Sequence, residues 1–365
     1  MRILFNIIFS AILAIGLVGF WALFLNLWKP KKKWPAWVGY IIIIGAWFAA
    51  IRYYILNQVD LYGTMYYPLM NMFRTESYGF LFGVFLAIPV FIILSLLYWT
   101  INKIWSKTPE ENRTGRRAFF RTAATIVPLA TIGGSSYAAF AGQQELVVTH
   151  ESFGYTNLPP GLKNYKIVQL SDIHIGPSID LDDFDEILKL ALLQKPNRVV
   201  ITGDLIDKLA WLPQVCERLT TFAKQIPDGV DFILGNHEYH HDVNKVLDAL
   251  KRNTPMNILV NSNIQIMGGK QPVYIAGVAY DNDRKKDNRE AMINKALSGI
   301  PDYAFVILLA HHPEFFEESI ERKIPLTLSG HTHGGQIVFM GMPLVPTGTP
   351  YTKGRYVEEQ SVCYV

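Results

Sequence analysis

The sequence has few cysteines and few charged residues, and each shortage excludes a class of protein. Its two cysteines, Cys216 and Cys363, form no CxxC pair, which excludes a disulfide framework and a thiolate zinc site. Only 18% of the 365 residues are charged, whereas about a quarter is usual in soluble domains. The net charge of +3 is too small to indicate a nucleic-acid partner, so none is expected.

Long apolar runs occupy the charge-poor N-terminal part of the chain. They cover Leu4–Trp28, Trp37–Leu56 and Gly79–Ile101, and each exceeds the roughly 18 apolar residues typical of a membrane-spanning helix. The runs contain no acidic residue and no histidine, which argues against an ion-transport path. We therefore predict a membrane domain over residues 1–141 with three transmembrane helices and a candidate fourth.

The candidate fourth segment, Ala123–Ala141, allows two interpretations. It is either a fourth span, or the apolar part of an export signal, since Arg116-Arg117 before it resembles a twin-arginine motif. Basic residues cluster in the connections after the first and third runs, which places those connections in the cytoplasm. Both interpretations predict a multi-pass plasma-membrane protein whose remaining chain is extracytoplasmic, and they differ in whether that part stays attached.

The second half of the chain reads as a soluble domain. Residues 142–164 are predicted to be a linker with an edge strand at Glu145–Ser152, and residues 165–365 a catalytic domain. Apolar runs alternate with segments of helical spacing, which predicts an α/β layered fold. The predicted strands are Lys166–Leu170, Arg198–Thr202, Val230–Leu234, Val273–Val278, Phe305–Leu309 and Leu326–Leu328. The predicted helices are Asp182–Gln194, Trp211–Lys224, Asp242–Lys251 and Arg289–Leu297.

Polar clusters follow five of these strands. They read SDIH at 171–174, GDLID at 203–207, GNHE at 235–238, HHP at 311–313 and GHTHGG at 330–335. Strand carboxyl ends in open α/β sheets form a ligand crevice, so these clusters should meet. Alone, the first two clusters are ordinarily a turn or a helix cap and GNH is a loop, whereas GHTHGG by itself is as much a metal site as a loop. Together, Asp, Asn and His suit Mn, Zn or Fe, and a carboxylate such as Asp204 can bridge two ions that clamp a phosphoryl group.

This series of motifs resembles the calcineurin-like metallophosphoesterases, in particular a bacterial membrane-anchored branch with a twin-arginine-like segment. The resemblance spans about residues 155–365 and implies a layered β-sandwich flanked by helices, with two divalent metal ions as cofactors. It implies that His237 contacts the scissile phosphate and acts as an acid. The implied ligands are Asp172, His174, Asp204 and His333 for one ion, and Asp204, Asn236, His311 and His331 for the other.

Several residues beside the implied ligands also have expected roles. The family pattern of a small residue, His, any residue and Pro selects His311 over His312. Asp207 is a candidate to orient a ligand histidine from behind, or equally a helix cap. Glu238, His240 and His241 are expected at the surface or the rim of the site.

The predicted function is metal-dependent hydrolysis of phosphoesters, with phosphodiesters favoured over monoesters. A phosphomonoesterase or nucleotidase at the same site is the alternative, and a non-catalytic membrane scaffold is a more distant one. The extracytoplasmic location makes lipid-linked or wall-linked phosphate esters candidate substrates. Substrate discrimination is expected in the loops Lys208–Pro213 and Tyr280–Asn288.

Overall fold

The chain divides into two compact units, Met1–Val147 and Val148–Val365. This computed structural model describes residues 62–104, 110–141, 146–176, 178–280, 285–335, 338–339, 342–343 and 348–365, with a few single positions before residue 53. The predicted spans Leu4–Trp28 and Trp37–Leu56 therefore lie outside the described residues, apart from those single positions.

The first unit includes two long described helices, α1 (Tyr67–Ile104) and α2 (Glu110–Ala141). Within the described residues, α1 alone is long and apolar enough to cross a membrane, over Tyr67–Ile101, which includes the third predicted run. The second half of α2 is the candidate fourth segment.

Glycines set the distance between α1 and α2. A Cβ atom on Gly79 would lie 2.8 Å from the Cβ of Ala139, and one on Gly83 would lie 2.6 Å from the Cα of Ile132. Small residues at such positions let two helix backbones approach closely, as they do in membranes. A larger side chain at either glycine would force the helices apart.

Two large sheets and one two-stranded sheet lie in the described part of the second unit. One is parallel, in the order β1 (Ile167–Leu170), β2 (Arg198–Ile201), β3 (Val230–Phe232), β4 (Asn257–Ile258). The other is mixed, in the order β11 (Arg355–Glu358), β12 (Ser361–Tyr364), β8 (Leu326–Leu328), β7 (Phe305–Leu309), β6 (Val273–Gly277), β5 (Ser262–Met267). Strands β9 (Val338–Phe339) and β10 (Met342–Pro343) pair separately.

Helices flank these sheets. They are α3 (Leu181–Leu193), α4 (Leu212–Ala223), α5 (Asn236–His241), α6 (Val243–Asn253), α7 (Lys286–Ala296) and α8 (Phe315–Glu321). The start of α3 shows how the sequence specifies such a helix. The Asp180 carboxylate accepts from the backbone N–H of Asp183, whose own side chain accepts from the Asp180 N–H. This reciprocal cap satisfies two backbone donors that the first turn leaves unpaired.

An apolar core lies between the two sheets. Val200, Ile233 and Leu259 of the parallel-sheet side pack in one buried cluster with Ile275 and Ile307 of the mixed sheet. A second apolar layer joins the mixed sheet to α7 and α8. The predicted α/β layering of this unit is confirmed, and the predicted strands and helices match the observed ones to within a few residues.

A buried ion pair joins β2 to β3. Arg198 donates from Nη1 to both carboxylate oxygens of Asp231, at 3.0 and 2.9 Å. Asn257 on β4 donates a further bond of 2.8 Å to the same carboxylate. The Asp231 side chain is fully buried, so the three strands share one desolvated polar cluster.

The predicted edge strand at Glu145–Ser152 is wrong, because the described residues 146–152 form no strand. An apolar run forms a strand only where a neighbouring strand is available to pair with it. This segment instead lies beside β11 and β12 through side chains. Thr149 approaches the Tyr364 hydroxyl at 3.3 Å, and Glu151 pairs with Arg355 at 3.0 Å, while Val147 stays exposed.

Candidate metal centre

The loops that follow β1, β2, β3, β7 and β8 meet at the same end of the two sheets. Each of the five predicted motifs lies on one of these loops, so strands of both sheets contribute. The structure brings all seven predicted ligands together there. These are Asp172 and His174 after β1, Asp204 after β2, Asn236 after β3, His311 after β7, and His331 and His333 after β8.

One group of donor atoms consists of Asp172, His174 and His333, whose ligand atoms all lie within 4.8 Å of one another. The Nε2 atoms of His174 and His333 face each other at 3.1 Å. The Nε2 of His333 also lies 3.5 Å from an Asp172 oxygen. These three side chains are three of the four residues that the family resemblance implies for one ion.

A second group consists of Asp204, His311 and His331, and Asn236 lies among them. The Asn236 side-chain oxygen is 3.0 Å from His311 Nε2 and 2.8 Å from His331 Nδ1. The other ring nitrogen of His311 bonds the Thr202 carbonyl at 2.8 Å, which directs Nε2 toward Asn236. His311 rather than His312 thus occupies this group.

Asp204 connects the two groups. Its Oδ2 atom lies 3.6 Å from His174 Nε2 and 3.3 Å from His311 Nε2. Burial opposes ionisation of this carboxyl, but hydrogen bonds from His311 and the backbone of His237 hold its pKa well below its usual range. Metal–ligand bonds of about 2.0–2.2 Å put neighbouring donors about 3–3.5 Å apart. The donor distances here run from 2.8 to 3.6 Å, close to that spacing, so the residues fit divalent ions.

The backbone at the predicted ligands is strained. Asp172, His174, Asp204, His331 and His333 all have positive φ angles, between 49° and 72°. Residues with a side chain seldom adopt this region, and such strain concentrates at functional sites. Five of the ten described non-glycine residues with positive φ are therefore predicted ligands.

Glycines directly before three ligands make room for the donor atoms. A Cβ on Gly235 would fall 2.2 Å from an Asp204 oxygen, and one on Gly330 would fall 2.2 Å from an Asp172 oxygen. A Cβ on Gly203 would lie 2.7 Å from His311 Nδ1. A side chain at any of these positions would occupy the space of a predicted ligand.

Asp207 contacts three histidines, so its environment fits the orienting role better than the helix cap. Its Oδ1 atom lies 2.6 Å from His237 Nδ1, 3.3 Å from His174 Nδ1 and 3.6 Å from His241 Nε2. Burial disfavours its charge, yet the three histidines hold its pKa well below the usual range. In return, the hydrogen bond to Asp207 raises the pKa of His237.

Glu238 was expected at the surface and is instead fully buried. Its carboxylate accepts backbone hydrogen bonds from Gly235 at 2.7 Å, Leu205 at 2.8 Å and Asp204 at 3.0 Å. Burial, followed by repulsion from Asp204, raises its pKa. Glu238 therefore ties the loop after β2 to the loop after β3. His240 is exposed as expected, whereas His241 is half-buried against Asp207.

Comparison with known proteins agrees with this geometry. The family model of the calcineurin-like phosphoesterases matches residues 165–335. A metallophosphoesterase of Campylobacter jejuni is 30% identical over 331 residues, which cover 89% of this chain and 82% of that protein. A metallophosphoesterase of Bacillus subtilis is 29% identical over 240 residues, which cover 64% of this chain and 82% of that protein.

A protein of Bos taurus named for a transmembrane part and a metallophosphoesterase domain is 30% identical over 298 residues, 74% of this chain and 62% of its own length. Members of the matched family are metal-dependent. The chain therefore belongs to the calcineurin-like metallophosphoesterases, and it is a hydrolase of phosphoric esters.

Proposed function

We propose that this protein hydrolyses phosphodiesters at a two-metal centre on the extracytoplasmic face of a membrane. The observation that carries the proposal is the position of Asp204. One of its oxygens lies within 3.6 Å of a ring nitrogen in each donor group, as expected of a carboxylate shared by two ions. Each of the metals Mn, Zn and Fe suits this set of nitrogen and oxygen donors.

The two donor groups divide the predicted ligands between the ions. Asp172, His174, Asp204 and His333 would hold one ion, and Asp204, Asn236, His311 and His331 would hold the other. The bound ions would supply an activated water and offset phosphate charge. Asn236 contributes a neutral oxygen, so the second set avoids another carboxylate that would repel the anionic substrate.

His237 is proposed as the acid that protonates the leaving oxygen. Asp207 occupies its Nδ1 atom at 2.6 Å, which leaves Nε2 as the proton donor. Because Asp207 raises the pKa of His237, the imidazolium persists at a higher pH than in a free histidine. About a third of the His237 side chain is exposed, so a phosphoester can reach it.

The membrane domain is proposed to be multi-pass and to keep α2. Gly79 and Gly83 let α2 approach α1 within van der Waals contact, which supports a retained helix over a cleaved export signal. Membrane extraction should then recover a full-length chain, and a mature form that begins after Ala141 would contradict this. Attachment at the outer face makes lipid-linked or wall-linked phosphate esters candidate substrates.

The test is metal-dependent turnover by the full-length chain in detergent. Metal is removed and Mn, Zn or Fe is added back, with bis(p-nitrophenyl) phosphate and p-nitrophenyl phosphate as substrates. We expect turnover to require metal and to fall in Asp204→Ala and His237→Ala, but not in His240→Ala, which changes an exposed histidine of the same helix. Full activity of Asp204→Ala with unchanged metal content would refute the proposal. A higher kcat/KM for the monoester would select the monoesterase alternative.

A further inference from the structure

A row of aromatic rings extends outward from the second donor group. His312 stacks on His331, with ring centroids 3.8 Å apart and planes 22° from parallel. Tyr280 follows with its centroid 5.0 Å from that of His312, and Tyr239 lies 5.6 Å beyond. We call His312, Tyr280 and Tyr239 the aromatic row. It starts beside the predicted ligand His331 and ends on α5, the helix that carries Asn236.

The aromatic row lies on one flank of the centre, and the acid–base residues lie on the other. On α5, Tyr239 is three residues after Asn236, so the two share a face of the helix. The His237 ring instead lies near those of His240 and His241, at 5.6 and 6.1 Å. A phosphate at the centre would therefore have the histidines around Asp207 on one flank and the aromatic row on the other, where His312 Nδ1 lies 3.2 Å from the Glu314 carboxylate.

The outer rings keep surface available for contact. His312 is 4% exposed, whereas Tyr239 and Tyr280 are only half-buried. Burial raises the pKa of Tyr239, so this ring is a neutral phenol at physiological pH. Neutral aromatic faces attract flat π systems by stacking, and each stacked base adds substantially to affinity.

The spacing of the rings distinguishes between kinds of substrate group. A cage for a quaternary ammonium group needs aromatic faces that stand apart around the cation. The Tyr239 and Tyr280 rings contact each other at 5.6 Å with planes 49° apart, so they leave no space between them for a head group. Because neighbouring planes in the row are tilted by 48–49°, a flat ring would stack on the open face of one tyrosine rather than on both.

We propose that the aromatic row binds a planar aromatic group of the substrate, with a nucleobase as its natural source, while the metal centre holds the phosphate. The inference rests on the proposed function for the position of that phosphate. It assigns a specificity role to Tyr239 and Tyr280, of which only Tyr280 lies in a loop where the sequence indicated substrate discrimination.

The test compares two ligands that share a phosphate and differ in the ring. Dissociation constants of AMP and ribose 5-phosphate are measured by calorimetry on the full-length, metal-loaded chain in detergent. A His237→Ala background slows turnover and leaves the predicted ligands in place. Tyr239→Leu and Tyr280→Leu remove a ring, Tyr239→Phe and Tyr280→Phe keep it, and Tyr303→Leu is the control at an exposed tyrosine before β7. The dissociation constant of phenyl phosphate shows whether a simple aryl group is enough for binding or whether a nucleobase is required.

We expect the His237→Ala chain to bind AMP about tenfold more tightly than ribose 5-phosphate, the effect of one stacked base. Each Leu substitution should remove most of that preference and leave the ribose 5-phosphate constant unchanged, while the Phe and Tyr303→Leu proteins keep the preference. An equal affinity for the two ligands would overturn the inference, even if metal-dependent turnover supports the proposed function. Equal weakening of both ligands in the Leu variants would also overturn it. Absence of turnover and of phosphate binding would refute the proposed function itself.

Discussion

Replacing Asp207 with Asn should shift the pH dependence of catalysis. The substitution keeps the shape of the side chain but removes the charge that lies 2.6 Å from His237 Nδ1. Asp207 raises the pKa of His237 against the opposing effect of burial. His237 therefore stays protonated as the pH rises past the ordinary histidine pKa, and it loses its proton only above its own raised pKa. Without the charge, the basic limb of the kcat/KM profile should move to lower pH.

The size of the effect follows from one hydrogen bond. A hydrogen bond to a charged group is worth about 1.5–3 kcal/mol. Because 31% of the Asp207 side chain is exposed, solvent screening favours the low end, which corresponds to about a tenfold loss of kcat/KM above neutral pH. Asp207 also lies 3.3 Å from His174 Nδ1, so metal affinity should fall by about 10- to 100-fold, the usual effect of losing such a partner.

The assay is a kcat/KM profile from pH 5 to 9 with saturating metal, which separates the acid effect from metal loss. Asp185→Asn is the matched control, since Asp185 pairs with Arg218 on the surface, away from the histidines. An Asp207→Asn profile that keeps its basic limb and only loses amplitude would refute the reasoning, because it would show that Asp207 does not set the protonation of His237.

Three further predictions concern the framework of the site. Glu238→Gln should lower bound metal and activity together. The amide cannot accept all three backbone hydrogen bonds, and each unsatisfied donor costs about 1–3 kcal/mol. Metal analysis and thermal melting would test this, and unchanged metal content would contradict it. Asp231→Ala should lower the free energy of unfolding by about 3–5 kcal/mol by leaving a buried arginine unpaired, while Asp185→Ala at the exposed pair should cost about 0–1 kcal/mol, as measured by urea denaturation. Gly235→Ala should abolish metal binding, because its Cβ would fall 2.2 Å from a predicted ligand oxygen, whereas Gly154→Ala, which has open space, should not.

The sequence was informative where function depends on local pattern. Short apolar runs mark the strands, and the residues after them lie at the strand carboxyl ends, which meet in an α/β sheet. The positions of Asp172, Asp204 and His331 around one centre could therefore be anticipated without coordinates. The short helix α5 was not predicted, because six residues are too few to display a helical period.

Contacts between residues far apart in the sequence leave no comparable pattern in it. Glu238 bonds the backbone of Leu205, 33 residues away in the sequence, and nothing in the GNHE motif reveals that its last residue points inward. The edge strand at Glu145–Ser152 was predicted from local sequence, which carries no information about whether a neighbouring strand is free to pair.

The sequence motifs therefore determine the chemistry of the centre, because Asp, Asn and His at the strand ends limit which ligands can bind there. The surroundings of the centre depend on folding. Tyr239 reaches Tyr280, and Tyr280 reaches His312, only because α5 and the ends of β6 and β7 are brought side by side. Ring–ring packing acts over a few ångströms between residues far apart in the chain, so it becomes visible only when the sheets and helices are in place.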